Sequence, residues 1–339
     1  MASKQYRNKV ALGLLLAAFA APALAQAPAP ATPAAPANNT VREPQSNLQT
    51  GANPDRFIGD PANNVSRVKR DIMLTKTILS AGDPSSAGAD GAVLRYRKEV
   101  SLDTLQPGES TNLTRQAEQQ IVFVKGGEGT LDDGARAWDL RSGFIALIPA
   151  NQANRIANTG ATPLTMVTLT GAASVGGASP TPGVLVRDTA KVLYVEQGVH
   201  WNNLSKAPFA DLGEPVLIVN LGPLSIAGPH AHPPAWEEGW VKLTDGPALI
   251  QIGSELRPWN DNAGLIAPNN DQTVHAAINL SDQVQSWLYF QGRTTAIRAP
   301  NPPAPLPPGQ SPPTTGRVNT PEIFGSSAGS TVPSRPLRR

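Results

Sequence analysis

The 339-residue chain contains no cysteine, which excludes disulfide scaffolds, cysteine nucleophiles, zinc ribbons and lipid attachment through an N-terminal cysteine. Charged residues make up only 16%, and 34 Pro and 30 Gly interrupt the chain. That composition excludes long helical bundles and coiled coils and points to turn-rich β structure with loose ends. A net charge of +2 excludes a strong polyelectrolyte binder. Long apolar runs are also missing: the one candidate, at positions 10–20, is too short to span a bilayer comfortably. What is present is 40% hydrophobic and long enough for two domains with real cores.

The short apolar run follows Lys4, Arg7 and Lys9 and precedes Ala23-Leu24-Ala25. This is the layout of a secretory signal peptide over residues 1–25, with Gln26 the expected first mature residue. Removing it takes the net charge from +2 to −1, and the expected location is periplasmic or secreted, with no membrane attachment after cleavage. Residues 26–50 hold Pro28, Pro30, Pro33, Pro36 and Pro44 without apolar periodicity, and read as a disordered linker. Residues 299–339 carry eleven further Pro and read as an extended tail. Its terminal Arg335, Arg338 and Arg339 form a solvated basic end. The intervening residues 51–298 are acidic and lack a basic stripe, so no nucleic-acid partner is expected.

A small-residue break at 171–183 divides this region into halves, 51–180 and 181–298. Both read as short β segments: 120–125, 144–148 and 164–169 in the first, then 192–195, 216–220, 248–252 and 286–290 in the second. Gly126-Gly127-Glu128-Gly129 is followed by no helix start, so it reads as a hairpin turn and not as a phosphate loop.

The chemistry lies in the second half. Three of the four His stand in order: His230 and His232, then Glu237, then His275 with Asn279. Residues two apart on a strand share a face, so the imidazoles of His230 and His232 converge. Three nitrogens and one carboxylate oxygen suit one divalent transition metal (Fe, Mn, Ni, Cu or Zn), and a six-coordinate ion keeps two positions open for substrate, water or dioxygen. Strand alternation selects the acid. With Glu237 inward, Val241 and Leu243 point in while Trp240 and Lys242 point out, which avoids burying a lysine; an inserted residue would reverse the choice to Glu238. With Glu237 as ligand, Glu238 is the nearest spare carboxylate and the candidate catalytic base. Trp236, beside the ligands, and Asn279 are candidate substrate contacts. His200 has no partner pattern and is read as structural.

His-x-His, a Glu five residues on, and a later Pro followed by His-x3-Asn resemble the two motifs of the cupin superfamily. Gly222 and Gly246 stand two residues off the family spacing, and two extra residues separate Pro268 from His275. The first half keeps the frame without the ligands: Gly108-x5-Thr114-x-Gln116-x3-Gln120-x6-Gly127, then Gly143-x5-Pro149-x-Asn151-x2-Asn154-x3-Asn158. One hydroxyl and three amides are poor transition-metal donors, so this half is expected to be metal-free. Equivalent positions lie 116 residues apart (Thr114 to His230) and 121 apart (Asn154 to His275), as in a duplication. The resemblance implies an all-β fold of two tandem cupin barrels, with metal in the second only. It also implies a metal-dependent enzyme, dioxygenase-like, acting on a small anionic or enolic substrate. Its alternatives are an isomerase or decarboxylase, or a non-catalytic binding or structural protein, and homo-oligomers are common in the family.

Overall fold

The computed structural model describes residues 53–293, apart from positions 87, 172–182, 196–202, 233, 235 and 271. The segments read as signal peptide, linker and tail, most of the inter-half break, and His200 lie outside the described residues. Among the described residues, β-strands and short 3-10 turns are the regular elements, and no helix is long and apolar enough to cross a membrane.

The first half forms an eight-stranded sheet packed on a four-stranded one. The large sheet runs in the order Leu185–Asp188, Phe144–Ile148, Gln120–Gly126, Leu164–Thr170, Glu99–Leu105, Met73–Ala81 and Arg67–Lys69, with Ala92–Leu94 beside Met73–Ala81. The smaller sheet holds Thr114–Arg115, Ala153–Asn158, Glu128–Asp132 and Ala137–Arg141. Val122, Val124 and Met166 of one sheet meet Leu131, Leu140 and Ile156 of the other in a closed apolar core. The second half repeats the plan. Its large sheet is Ile58–Gly59, Gly264–Ala267, Trp236–Lys242, Gln285–Arg293, Val216–Leu221, Asn203–Lys206 and Tyr194–Val195, and its small sheet is Glu255–Pro258, Ala248–Ile252 and His275–Asn279. Trp240, Trp259 and Trp287 fill much of that interior.

A third core joins the barrels. Phe123, Ile145 and Val167 from the first large sheet cluster with Val241, Leu288 and Phe290 from the second. The central strands therefore have two buried faces and no solvent face, which is why segments such as Ile121-Val122-Phe123-Val124 and Phe144-Ile145-Ala146-Leu147-Ile148 are continuously apolar instead of alternating. Gly239 belongs to this contact: a Cβ there would lie 2.1 Å from the Phe290 ring.

Three expectations need correction. The halves do not separate at 180/181, because Ile58–Gly59 pairs with Gly264 and Leu265 of the second barrel, while Leu185–Asp188 pairs with 144–147 of the first. Each barrel takes an edge strand from the other half, which hydrogen-bonds an otherwise open edge. The Gly126–Gly129 stretch is not a hairpin. Strand Gln120–Gly126 pairs within the large sheet and Glu128–Asp132 within the small one, so the chain crosses between sheets at Gly127. Its φ of 82° and the backbone of Pro163, 2.5 Å from any Cβ, both demand glycine. Finally, only Tyr194–Val195 of the expected 192–195 segment is strand, because Val192 caps the 3-10 turn Thr189–Lys191.

Candidate metal centre

His275 opens a strand of the small sheet, and an isolated antiparallel bridge brings His230 directly opposite it. His230 N donates to His275 O at 3.3 Å and His275 N to His230 O at 2.9 Å. Two residues further on, His232 turns its ring edge-on to His230, with centroids 4.8 Å apart. Glu238 enters from the large sheet, between Ala267 and Gln291 in register. One ligand atom from each of His230, His232, Glu238 and His275 lies within 4.8 Å of the others.

The donor chemistry fits a cation. His230 Nδ1 lies 2.8 Å from Gly228 O, an acceptor, so it carries the hydrogen; the neutral ring then presents a lone pair at Nε2. That lone pair faces His232 Nε2 at 3.1 Å, which also lies 2.5 Å from Glu238 Oε2. One N–H cannot serve both. His275 Nε2 is buried without a hydrogen bond, 3.4 Å from Glu238 Oε1. A divalent ion would accept all of these lone pairs at once.

Electrostatics lead the same way. Burial pushes the Glu238 carboxyl up, but His232 and then His275 beside it outweigh that and hold it well below the usual carboxylate range. Burial likewise holds the His275 imidazole below its ordinary value, against the pull of Glu238. Carboxylate and neutral imidazole are the metal-binding forms. Trp240 Nε1 donates to Glu238 Oε1 at 2.7 Å and Tyr289 OH to Oε2 at 2.8 Å. Gln291 Nε2 donates in turn to Tyr289 OH at 2.5 Å. These donors fix the carboxylate orientation before any ligand arrives.

The acid is therefore Glu238, where the alternation argument chose Glu237. That argument assumed a solvent face for Lys242, and strand Trp236–Lys242 has none. Lys242 is buried on the Glu238 side, neutralised by Asp261 at 2.7 Å and bonded to Trp259 O at 3.0 Å and to Gly246 O. A paired lysine tolerates burial, so Trp240 and Lys242 point into the barrel while Val241 and Leu243 join the inter-barrel core. Glu237 faces that core too, where Oε2 accepts from Arg95 N at 2.5 Å. Glu238, held by two imidazoles and two donors, is not a spare base.

Asn279 is also reassigned. Its amide donates to Leu221 O, Gly222 O and Gln283 O at 3.3, 2.8 and 2.7 Å, and its Oδ1 accepts from Ser281 N at 2.9 Å, so it ties loops together and has no group left for substrate. Asn158 makes the same kind of contacts in the first barrel, to Leu105 O and Thr162 O. Trp236 stacks on His232 with centroids 6.1 Å apart and planes at 17°, half-buried beside the ligands. Tyr289 and Gln291 were missed by motif spacing; they are the register partners of Trp240 and Glu238 on the neighbouring strand, a pairing that no local pattern states.

Register also ranks the first-barrel counterparts. Thr114 pairs with Asn154 as His230 does with His275. Gln120 pairs with Ile148, the residue before Pro149, as Glu238 pairs with Ala267, the residue before Pro268. Gln120 therefore matches Glu238, and the second barrel has two extra residues between its second His and its acid.

The chain folds as two all-β barrels, one with an imidazole and carboxylate cluster, and one stretch of it carries a cupin-domain signature. Residues 101–170 match the family model of the cupin domain; the match falls in the barrel that keeps the frame without the ligands. Among solved structures, the chain is similar to AerE from Microcystis aeruginosa, at 15% identity over 70% of this chain and 98% of that one, with a TM-score of 0.52. It is also similar to oxalate decarboxylase from B. subtilis, at 11% identity, 75% and 80% coverage and a TM-score of 0.53. Vicilin from hazelnut, Corylus avellana, gives 12%, 70% and 85%, and 0.53. At these identities the likeness is one of fold. No curated protein matches the chain by sequence.

Proposed function

We propose that the second barrel is the catalytic half of an exported, metal-dependent enzyme, a dioxygenase-like oxidoreductase acting on a small anionic or enolic substrate. The observation that carries this reading is the convergence of buried His232, Glu238 and His275 with half-buried His230. A redox-active divalent ion held there would supply Lewis acidity toward a bidentate oxygen ligand and a route for electrons to dioxygen. The chain's own residues supply the rest. Trp240 and Tyr289 orient Glu238, His232 and His275 beside it hold it ionised, and the neutral imidazole of His275 stays available as a donor. The packed indoles of Trp240, Trp259 and Trp287 close the inner side of the site against water. Trp236 offers a flat wall beside His232 for a planar substrate.

The test is elemental analysis of exported protein purified without chelator, for wild type and His232→Ala. About one Fe, Mn, Ni or Cu per chain in the wild type, lost in the variant, together with oxygen consumption on a panel of small acids and phenolics, is the expected result. Metal-dependent turnover without oxygen uptake would move the reaction to decarboxylation or isomerisation. Little metal in either protein would leave a binding or structural module.

A further inference from the structure

Where the two barrels meet, their packed faces part at one end and leave a cleft of about 320 Å³, a volume that suits a small organic molecule. Its floor is Phe123 from the first barrel with Ile218 and Leu243 from the second, all members of the inter-barrel core. One wall comes from the end of the exchanged strand Leu185–Asp188 and the segment that follows it, through Asp188, Ala190 and Tyr194. Leu243 lies five residues beyond Glu238, or about 16 Å along an extended chain. The cleft therefore stands apart from the metal centre.

Its charges do not balance. Lys125 Nζ reaches across the barrel junction to Asp245 Oδ1 at 2.9 Å and Asn262 Oδ1 at 2.5 Å. Asp188 is matched as well: its Oδ2 lies 3.6 Å from Lys191 Nζ, and its Oδ1 accepts from Ala190 N at 2.9 Å. Lys206 is the exception. Its Nζ donates to Thr189 O at 2.8 Å and lies 4.9 Å from the centroid of the Tyr194 ring, and no carboxylate pairs with it among the described residues. An ammonium carries three N–H groups, so the carbonyl leaves it with donors to give, while carbonyl and ring together hold it in place.

The hydroxyls of the lining offer no rival site for an anion. Thr189, Thr244 and Ser286 already donate inside the protein, to Gly143 O at 2.6 Å, Gln285 Oε1 at 2.8 Å and Asn220 Oδ1 at 2.6 Å. What they turn to the cleft is lone pairs, which repel negative charge everywhere except beside Lys206.

We propose that this cleft binds a small monocarboxylate with a compact apolar body, its carboxylate on Lys206 and its body on Phe123, Ile218 and Leu243. One unmatched cation among paired charges calls for one negative charge. A dianion would bring a second charge with no partner, and a neutral molecule would leave the ammonium unpaired. The apolar floor rewards a body about the size of a ring, because that covers its exposed edge.

The test is calorimetric titration of the full chain with benzoate. Acetate lacks the body, benzamide lacks the charge, and inorganic phosphate carries close to two charges near neutral pH; these are the comparators. One equivalent of benzoate is expected to bind with a Kd of roughly 1 mM or tighter, and to bind equally to His232→Ala, which separates this cleft from anion capture at the metal centre. Each comparator should bind at least about tenfold more weakly. Lys206→Met should weaken benzoate at least about tenfold with an unchanged circular dichroism spectrum. If that variant fails to fold, Ala190→Trp, at an exposed position of the lining, fills the cleft without touching its charges and should give the same loss. The proposal is overturned if benzoate does not bind, if a comparator binds as tightly, if binding survives both variants, or if it is lost in His232→Ala.

Discussion

The two barrels share a frame and differ in what they enclose. At matching positions the second has His230, Glu238 and His275 where the first has Thr114, Gln120 and Asn154, and it has indoles where the first has Val122 and Met166. The lesson concerns the cost of burial. A buried carboxylate persists only where cations or donors compensate it, and in the second barrel two imidazoles, an indole and a phenol are built around Glu238. The first barrel carries neutral amides at the same places, and these are stable with or without a ligand. The frame of glycines, prolines and loop-tying asparagines is common to both because it serves the backbone, whichever ligand is present.

The largest expected effect tests whether the barrels stand or fall together. Arg97 and Glu214, both buried, pair at 2.5 Å across the inter-barrel contact, with Gln119 Nε2 on Glu214 at 3.0 Å and Gly171 O on Arg97 at 2.9 Å. Arg97→Ala leaves a buried carboxylate unpaired and is expected to lower stability by about 3–5 kcal/mol. Urea unfolding followed by tryptophan fluorescence, which reports mainly the second barrel, and by far-UV circular dichroism should shift together in one transition. Two separated transitions would show that the barrels fold independently.

Next comes the distinction between neighbouring acids. Burial pushes the Glu237 carboxyl up to about 7, with the Arg95 N–H only partly offsetting it. Its folded value lies above its unfolded one, so its contribution is complete below the unfolded value near 4.5 and is lost as pH rises through about 7, by roughly 3 kcal/mol. Glu237→Gln should therefore flatten the fall in stability between pH 5 and pH 8 and leave metal content intact. A variant with the wild-type pH profile would place Glu237 in contact with water.

Glu238→Gln should do the reverse, keeping the fold while weakening metal affinity about 100-fold, or ~2.7 kcal/mol, in a competition assay against a chelator. Equal metal loss in the two Gln variants would break the assignment of faces. The smallest effect falls on the donors behind the ligand. Tyr289→Phe removes one hydrogen bond to Glu238 and is expected to cost about tenfold in metal affinity, measured by the same competition.

Much of this was legible beforehand. Strands 120–125, 144–148, 216–220 and 248–252 were found within a residue or two, because β-branched and aromatic runs between glycines have few other uses. His230, His232 and His275 were picked out by the motif spacing, but the strand-alternation argument for the first two does not hold: His230 makes only an isolated bridge and His232 lies on no strand. The choice between Glu237 and Glu238 was not legible, because local alternation tells two faces apart only when one of them meets water. Tyr289 and Gln291 escaped for a related reason: they reach Glu238 from another strand, some fifty residues on, and strand neighbours are not written in local sequence.

The amino-acid sequence by itself determined the class of fold, the duplication and the three imidazoles, because turn chemistry, apolar runs and two-residue periodicity are local properties of a chain. The tertiary structure decided the acidic ligand, the exchange of edge strands between the halves and the cleft between the barrels. Each of these depends on which face another sheet covers, and that is settled only when distant segments pack and exclude water together.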